Sequence, residues 1–129
     1  GAKTALLWAK NSDTKEWIIQ MPSNRIEGDI TYSIANKLLP GAAIELRYMH
    51  IMQQTRIPVS IADYIPPPNA YSLLNLDFSS DVAIGKKQIS VGLTVVNLLN
   101  QTYRDYMNRF RYFNDEPGRS INLRIKLKL

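Results

Sequence analysis

The segment "RSINLRIKLKL" (119–129) alternates without a break. Ile121, Leu123, Ile125, Leu127 and Leu129 are aliphatic, and Asn122, Arg124, Lys126 and Lys128 between them are polar or cationic. Successive side chains of a β-strand point to opposite faces, so the segment reads as a strand with one apolar and one polar face. Such a strand suits a soluble sheet packed on one side, and equally a barrel wall standing in lipid. The rest of the chain decides between them.

The same period of two recurs upstream. Ile26, Gly28, Ile30, Tyr32 and Ile34 alternate with Glu27, Asp29, Thr31 and Ser33. Ile44, Leu46, Tyr48 and Met52 oppose Glu45, Arg47 and Gln53, with His50 on the apolar side. Leu74, Leu76, Phe78, Val82 and Ile84 oppose Asn75, Asp77, Ser79 and Asp81, and Ile89, Val91, Leu93 and Val95 oppose Gln88, Ser90, Gly92 and Thr94. With the opening segment, which alternates poorly, this predicts strands near 2–9, 26–36, 42–54, 71–84, 88–97 and 119–129, each antiparallel to its sequence neighbour.

The connections alternate in length. "NKLLPG" (36–41) and "GKK" (85–87) are tight turns, whereas 10–25, 55–71 and 98–119 are long. Loops of about 15 residues or more are uncommon in compact soluble domains. Long loops at one end and short turns at the other are the rule in outer-membrane barrels, whose tilted strands need about 9–11 residues. The expected fold is therefore all-β, an antiparallel up-and-down meander of about six strands forming a segment of a transmembrane β-barrel.

Composition narrows the function. The chain has 129 residues, enough for one domain or a piece of a larger one, and 45% of them are hydrophobic, which excludes disorder by composition. With no Cys, disulfides and thiolate metal sites are excluded, and with His50 the single His, neither a His-based metal cluster nor a Ser-His-Asp triad is expected from this chain alone. No constellation points to an enzyme or a cofactor. The net charge of +5 permits an anionic partner without requiring one. No apolar run approaches the ~20 residues of a membrane helix, so any crossing must use strands. The opening "GAKTALLWAK" shows no signal-peptide pattern, and the chain reads as an excised piece of a longer protein.

The stretch "VVNLLNQTY" (95–103), the Tyr- and Arg-rich "RDYMNRFRY" (104–112) and "EPGRSINLRIKLKL" (116–129) together resemble the end of TonB-dependent outer-membrane receptors. Upstream, "MPSNR" (21–25), "RIP" (56–58) and "PPNAYSLLNLD" (67–77) also look like this family, so the resemblance covers roughly residues 17–129. The chain departs from the family in ending on Leu129 rather than on an aromatic residue. The resemblance implies that 1–129 is the C-terminal part of a receptor barrel, with the plug domain and TonB box outside this chain. It implies an outer-membrane location and TonB-energised uptake of a scarce nutrient: iron-siderophore, cobalamin, haem or glycan. The rival reading is a soluble β-rich binding domain with its apolar faces packed inward.

In the barrel reading Glu45, Arg47, Asp77, Asp81, Arg124 and Lys126 face the lumen, the basic stripe pairing with acids of the adjacent strand or of a plug. Tyr103, Tyr106, Arg109 and Arg111 belong to an outer loop. That loop interleaves bases with aromatics as a nucleic-acid surface can, but it reads better as rings in a headgroup-level belt with arginines on nearby acceptors, and no nucleic acid is expected. Tyr103, Tyr106, Met107 and Phe110 also lie at helical spacing, enough for one or two turns. Gly118 is expected to take a positive φ beside Pro117, turning the chain into the last strand, and Asn97 and Asn100 to bond their own backbone. Trp8 and Trp17 read as interface anchors, and His50 as structural. Open first and last strands make an isolated fragment prone to self-association through its edges, or to curling that packs Leu76, Phe78, Leu93 and Leu123 into a core.

Overall fold

The structure, a computed structural model, describes residues 1–37, 39–59, 66–84 and 87–128. Six strands form one antiparallel sheet in sequence order: β1 (Ala2–Ala5), β2 (Arg25–Ile34), β3 (Ala42–Ile51), β4 (Tyr71–Ile84), β5 (Lys87–Val96) and β6 (Ser120–Lys128). The up-and-down order and the sequence-neighbour pairing are those the alternation predicts. The turn at 85–86 and Leu129 lie outside the described residues. In the other short connection, Ala42 N–H donates to Leu39 O (3.2 Å) and Gly41 takes a φ of +68°, a left-handed conformation that only glycine adopts without strain.

Register fixes two faces. Leu123 stands opposite Leu93 and Leu93 opposite Phe78; Ile125 stands opposite Val91, and Leu76 opposite both Leu46 and Val95. Ile30 and Tyr32 continue the apolar face through Leu46 and Ile44. The aliphatic positions of β2 to β6 expected to share a face do so wherever their side chains are described; that of Ile84 lies outside them. Among the described residues no second layer packs on that face: Ile30 is 74% exposed, Leu123 65% and Ile125 64%. The sheet is one layer, and the curling that would turn this face into a core does not occur.

Ala42, Ser80 and Val95 are buried on the aliphatic side, and the opposite, polar face carries a buried cluster at the end where the long connections emerge. Ile51, Tyr71 and Leu73 form a buried cluster with Met49 and Tyr103 packed against it. Alternation breaks at this end of β3 and β4, in "MHIM" (49–52) and "YSLL" (71–74), so both faces are apolar locally.

Strand ends deviate where side chains replace the ladder. The first strand stops at Ala5 rather than Ala9. Beyond it, Leu7 N–H donates to Asn24 Oδ1 (3.1 Å) and Leu7 O accepts from the Arg56 guanidinium, so this backbone is satisfied by loop partners. The third strand stops at Ile51 rather than at 54. Gln54 turns inward there and is buried, its carboxamide donating to Met21 O (2.5 Å) and Pro22 O (3.0 Å).

Candidate functional site

The polar face carries the charges, and register brings them together. Glu45 and Arg47 lie on β3, Asp77 and Asp81 on β4, Arg124 and Lys126 on β6, all on this face. Most have partners: Arg47 Nη2 donates to Glu45 Oε1 (2.5 Å), Thr94 Oγ1 to Asp77 Oδ1 (2.6 Å) and Ser90 Oγ to Asp81 Oδ1 (2.5 Å). Arg124 and Lys126 differ. Across from them on β5 stand Gly92 and Ser90, which carry no charge, and among the described residues neither cation makes an ion pair. The adjacent strand therefore does not supply the acids expected for this stripe. The Lys128 side chain lies outside the described residues.

At the long-loop end the face changes character. The Tyr103 ring lies 4.5 Å from that of Tyr71, tilted by 31°, and the Tyr71 hydroxyl donates to Asp105 Oδ2 (2.7 Å). Burial, with the carboxylates of Glu116 and Asp105 adding to it, pushes the Tyr103 phenol above its ordinary range. Beside the stacked rings opens a cleft of about 380 Å³ between Pro68–Ala70, Gln101–Arg104 and Asp115. An Arg104–Asp115 ion pair of 2.5 Å closes one side of it. Tyr103 thus packs on the polar face and does not stand in a rim belt beside the aliphatic one, as expected for it.

The connection 97–119 is held by asparagines. Asn97, buried and at φ 53°, accepts Gln101 N–H on Oδ1 (2.9 Å) and donates from Nδ2 to Gln101 O (2.8 Å), while its own N–H donates to Asn75 Oδ1 (2.9 Å). Asn100, at φ 52°, accepts not from its own neighbourhood but from Arg119 N–H (2.8 Å), at the entry to β6. Gly118 is not at positive φ, contrary to the expectation; its requirement is space. A Cβ there would stand 2.7 Å from Asn100 Oδ1.

The expected helical turns reduce to one 3-10 turn, Arg109–Tyr112, started by Asn108 Oδ1 accepting Phe110 N–H (2.9 Å). Arg111 is buried there, its guanidinium 4.3 Å from the Tyr106 ring and 4.8 Å from the Tyr112 ring, donating to Tyr106 O and to the Tyr112 hydroxyl. Arg111 and Tyr106 therefore brace the loop, whereas Arg109 begins the turn and Phe110 and Phe113 stay exposed.

On the apolar face the loop end is marked by a polar group. The Ser72 hydroxyl lies 2.9 Å from both the Tyr48 hydroxyl and His50 Nδ1. No carboxylate orients the imidazole among the described residues, so the trio has the hydrogen bonding of a structural cluster. Arg56 lies over the Trp8 ring (5.6 Å) and Lys10 over that of Trp17 (4.5 Å).

Among the described residues no group of His, Asp or Glu side chains is placed to hold a metal ion, and no helix is long and apolar enough to cross a membrane. Comparison with protein-family models, curated proteins and solved structures finds no match to this chain.

Proposed function

We propose that the chain is part of the wall of a transmembrane β-barrel in the outer membrane, from a receptor for TonB-energised uptake of a scarce nutrient. The observation that carries this reading is the uncovered aliphatic face: one layer, apolar on every strand from β2 to β6, with no second layer among the described residues. An apolar surface that size is costly in water and suits hydrocarbon. Strand length supports it, since β2, β3 and β5 have 10 residues and β6 has 9, close to the ~9–11 of a tilted spanning strand. The polar face then lines a wet lumen, and the long loops form the outer end. The class of receptor follows from the sequence resemblance. TonB contact belongs to regions outside this chain, and the nutrient is a small ligand met by loops and lumen together.

The test uses single labels, which the absence of Cys makes clean. Spin labels at Leu123→Cys and Asn122→Cys are read in the chain reconstituted into lipid vesicles. The label at 123 should respond to a lipid-soluble relaxant and the label at 122 to a water-soluble one. Equal aqueous access at both positions, or the reverse pattern, would sink the wall reading and favour a soluble domain that packs this face inward.

A further inference from the structure

The last strand ends the sheet, and its outer edge is open. All described side chains from Ser120 to Leu127 are exposed. Its polar face brings Arg124 and Lys126 with no carboxylate directly across: Gly92 and Ser90 stand there on β5, Asp81 lines the same cleft from β4 but accepts the Ser90 hydroxyl, and among the described residues neither cation is in an ion pair. Every carboxylate that β2, β3 and β4 place on this face already has a near partner. Asp29 pairs with the amino terminus (3.0 Å), Glu27 with Arg25 (3.0 Å), Glu45 with Arg47, and Asp77 and Asp81 accept hydroxyls of β5. Among the described strand residues Lys3 and Lys87 also lack an ion pair, but only β6 sets two such cations side by side on one face. Arg124 meanwhile lies back over the one glycine of β5, where a Cβ would come within 3.3 Å of its guanidinium.

We infer that the β6 edge is built to pair with a strand of a different sequence, one that alternates aliphatic residues with carboxylates set against Arg124 and Lys126. Opposite charges directly across a strand pair stabilise it and like charges oppose it, so the cations select the partner as well as attract it. A second copy of this chain does not fit. Its two open edges are β1, with the sequence AKTA, and β6, SINLRIKLK, and neither contains an acid. A β6–β6 pair would set Arg124 against its own copy, against Lys126 or, in a shorter register, against Asn122, and in none of these against an acid. The aliphatic alternation of Ile121, Leu123, Ile125 and Leu127 fixes the partner's other face as apolar, and a one-residue slip would invert it. This inference stands on the edge and its charges, and holds whichever medium covers the aliphatic face.

The test is peptide addition to the full chain in detergent micelles. Three peptides of nine residues, the length of β6, alternate isoleucine with glutamate, serine or lysine. Affinity is read by fluorescence anisotropy, and the site by amide hydrogen exchange. The glutamate peptide should bind roughly tenfold more tightly than the serine peptide, and the lysine peptide least. The glutamate peptide should protect amides of 120–128. Its preference should vanish in an Arg124→Gln/Lys126→Gln chain, which keeps the edge hydrogen bonds. No preference for glutamate over serine would overturn the inference. So would a preference without protection at β6, which would place the carboxylates on the polar face rather than at the edge. Neither result bears on the spin-label test of the membrane reading.

Discussion

Replacing Gly118 with alanine tests how the last strand is joined to the sheet. Its φ is not in the left-handed range, so alanine meets no backbone strain there. What it meets is Asn100 Oδ1, at 2.7 Å from the new methyl, and that oxygen accepts Arg119 N–H at 2.8 Å. The carboxamide must swing away, losing the bond at a cost of about 1 kcal/mol. The Arg119 amide should then exchange roughly fivefold faster, since 1.36 kcal/mol is tenfold. Asn100→Gly removes the acceptor while keeping the φ of 52° accessible and should cost a similar ~1 kcal/mol. In that background Gly118→Ala has nothing left to hit, and should be neutral or slightly stabilising by restricting the unfolded chain. The double mutant should therefore cost about 1 kcal/mol rather than about 2, a coupling near 1 kcal/mol. Amide exchange at Arg119 and urea unfolding in micelles, across wild type, both single mutants and the double, measure it. Additive costs would refute the steric account of this glycine.

Asn97→Ala should cost about 2–3 kcal/mol in urea unfolding, from two bonds to Gln101 and a φ of 53° that alanine resists, with Asn97→Gly costing about half as much. Because the Tyr103 phenol is pushed up, the fold favours its neutral form. Its stabilisation is complete below the ordinary phenol value of about 10 and is lost as pH rises through the raised one. Phenolate absorbance of the chain minus that of Tyr103→Phe should show an ionisation above the free-phenol value, and one at or below it would refute the packing. Leu123→Arg should weaken partition into lipid vesicles by about 2–4 kcal/mol if it lies near mid-bilayer, while Asn122→Arg changes little; equal effects would contradict the sidedness.

Period-two alternation makes β2 to β6, their order and their faces readable, because register and alternation are one constraint seen twice. What escaped reading depends on partners far away in sequence. Nothing local says that Asn24 and Arg56 take over the backbone of Leu7, so the first strand looked four residues too long. The six charged residues assigned to the polar face are legible by parity alone. That Arg124 and Lys126 stand unanswered needs the register that sets Gly92 and Ser90 across from them. The buried cluster of Met49, Ile51, Tyr71 and Leu73 did leave a signal, the short runs where both parities turn apolar. Its cover, Tyr103, is invisible locally, since it depends on the loop after β5 folding back across the sheet.

A one-layer sheet also changes what inheritance must preserve. In a packed interior each side chain is held by its neighbours' shapes, and even one methylene is felt. Ile30, Leu123 and Ile125 have no opposing layer to fit, so there Ile, Leu, Val and Phe are interchangeable currency, and only apolarity is under constraint. Asn97, Asn100, Gly118 and the Tyr71–Tyr103 pair are held by particular atoms at particular distances. Descendants of this chain should diverge freely in the spelling of the strands, while the few residues that pin the loop end keep their identities.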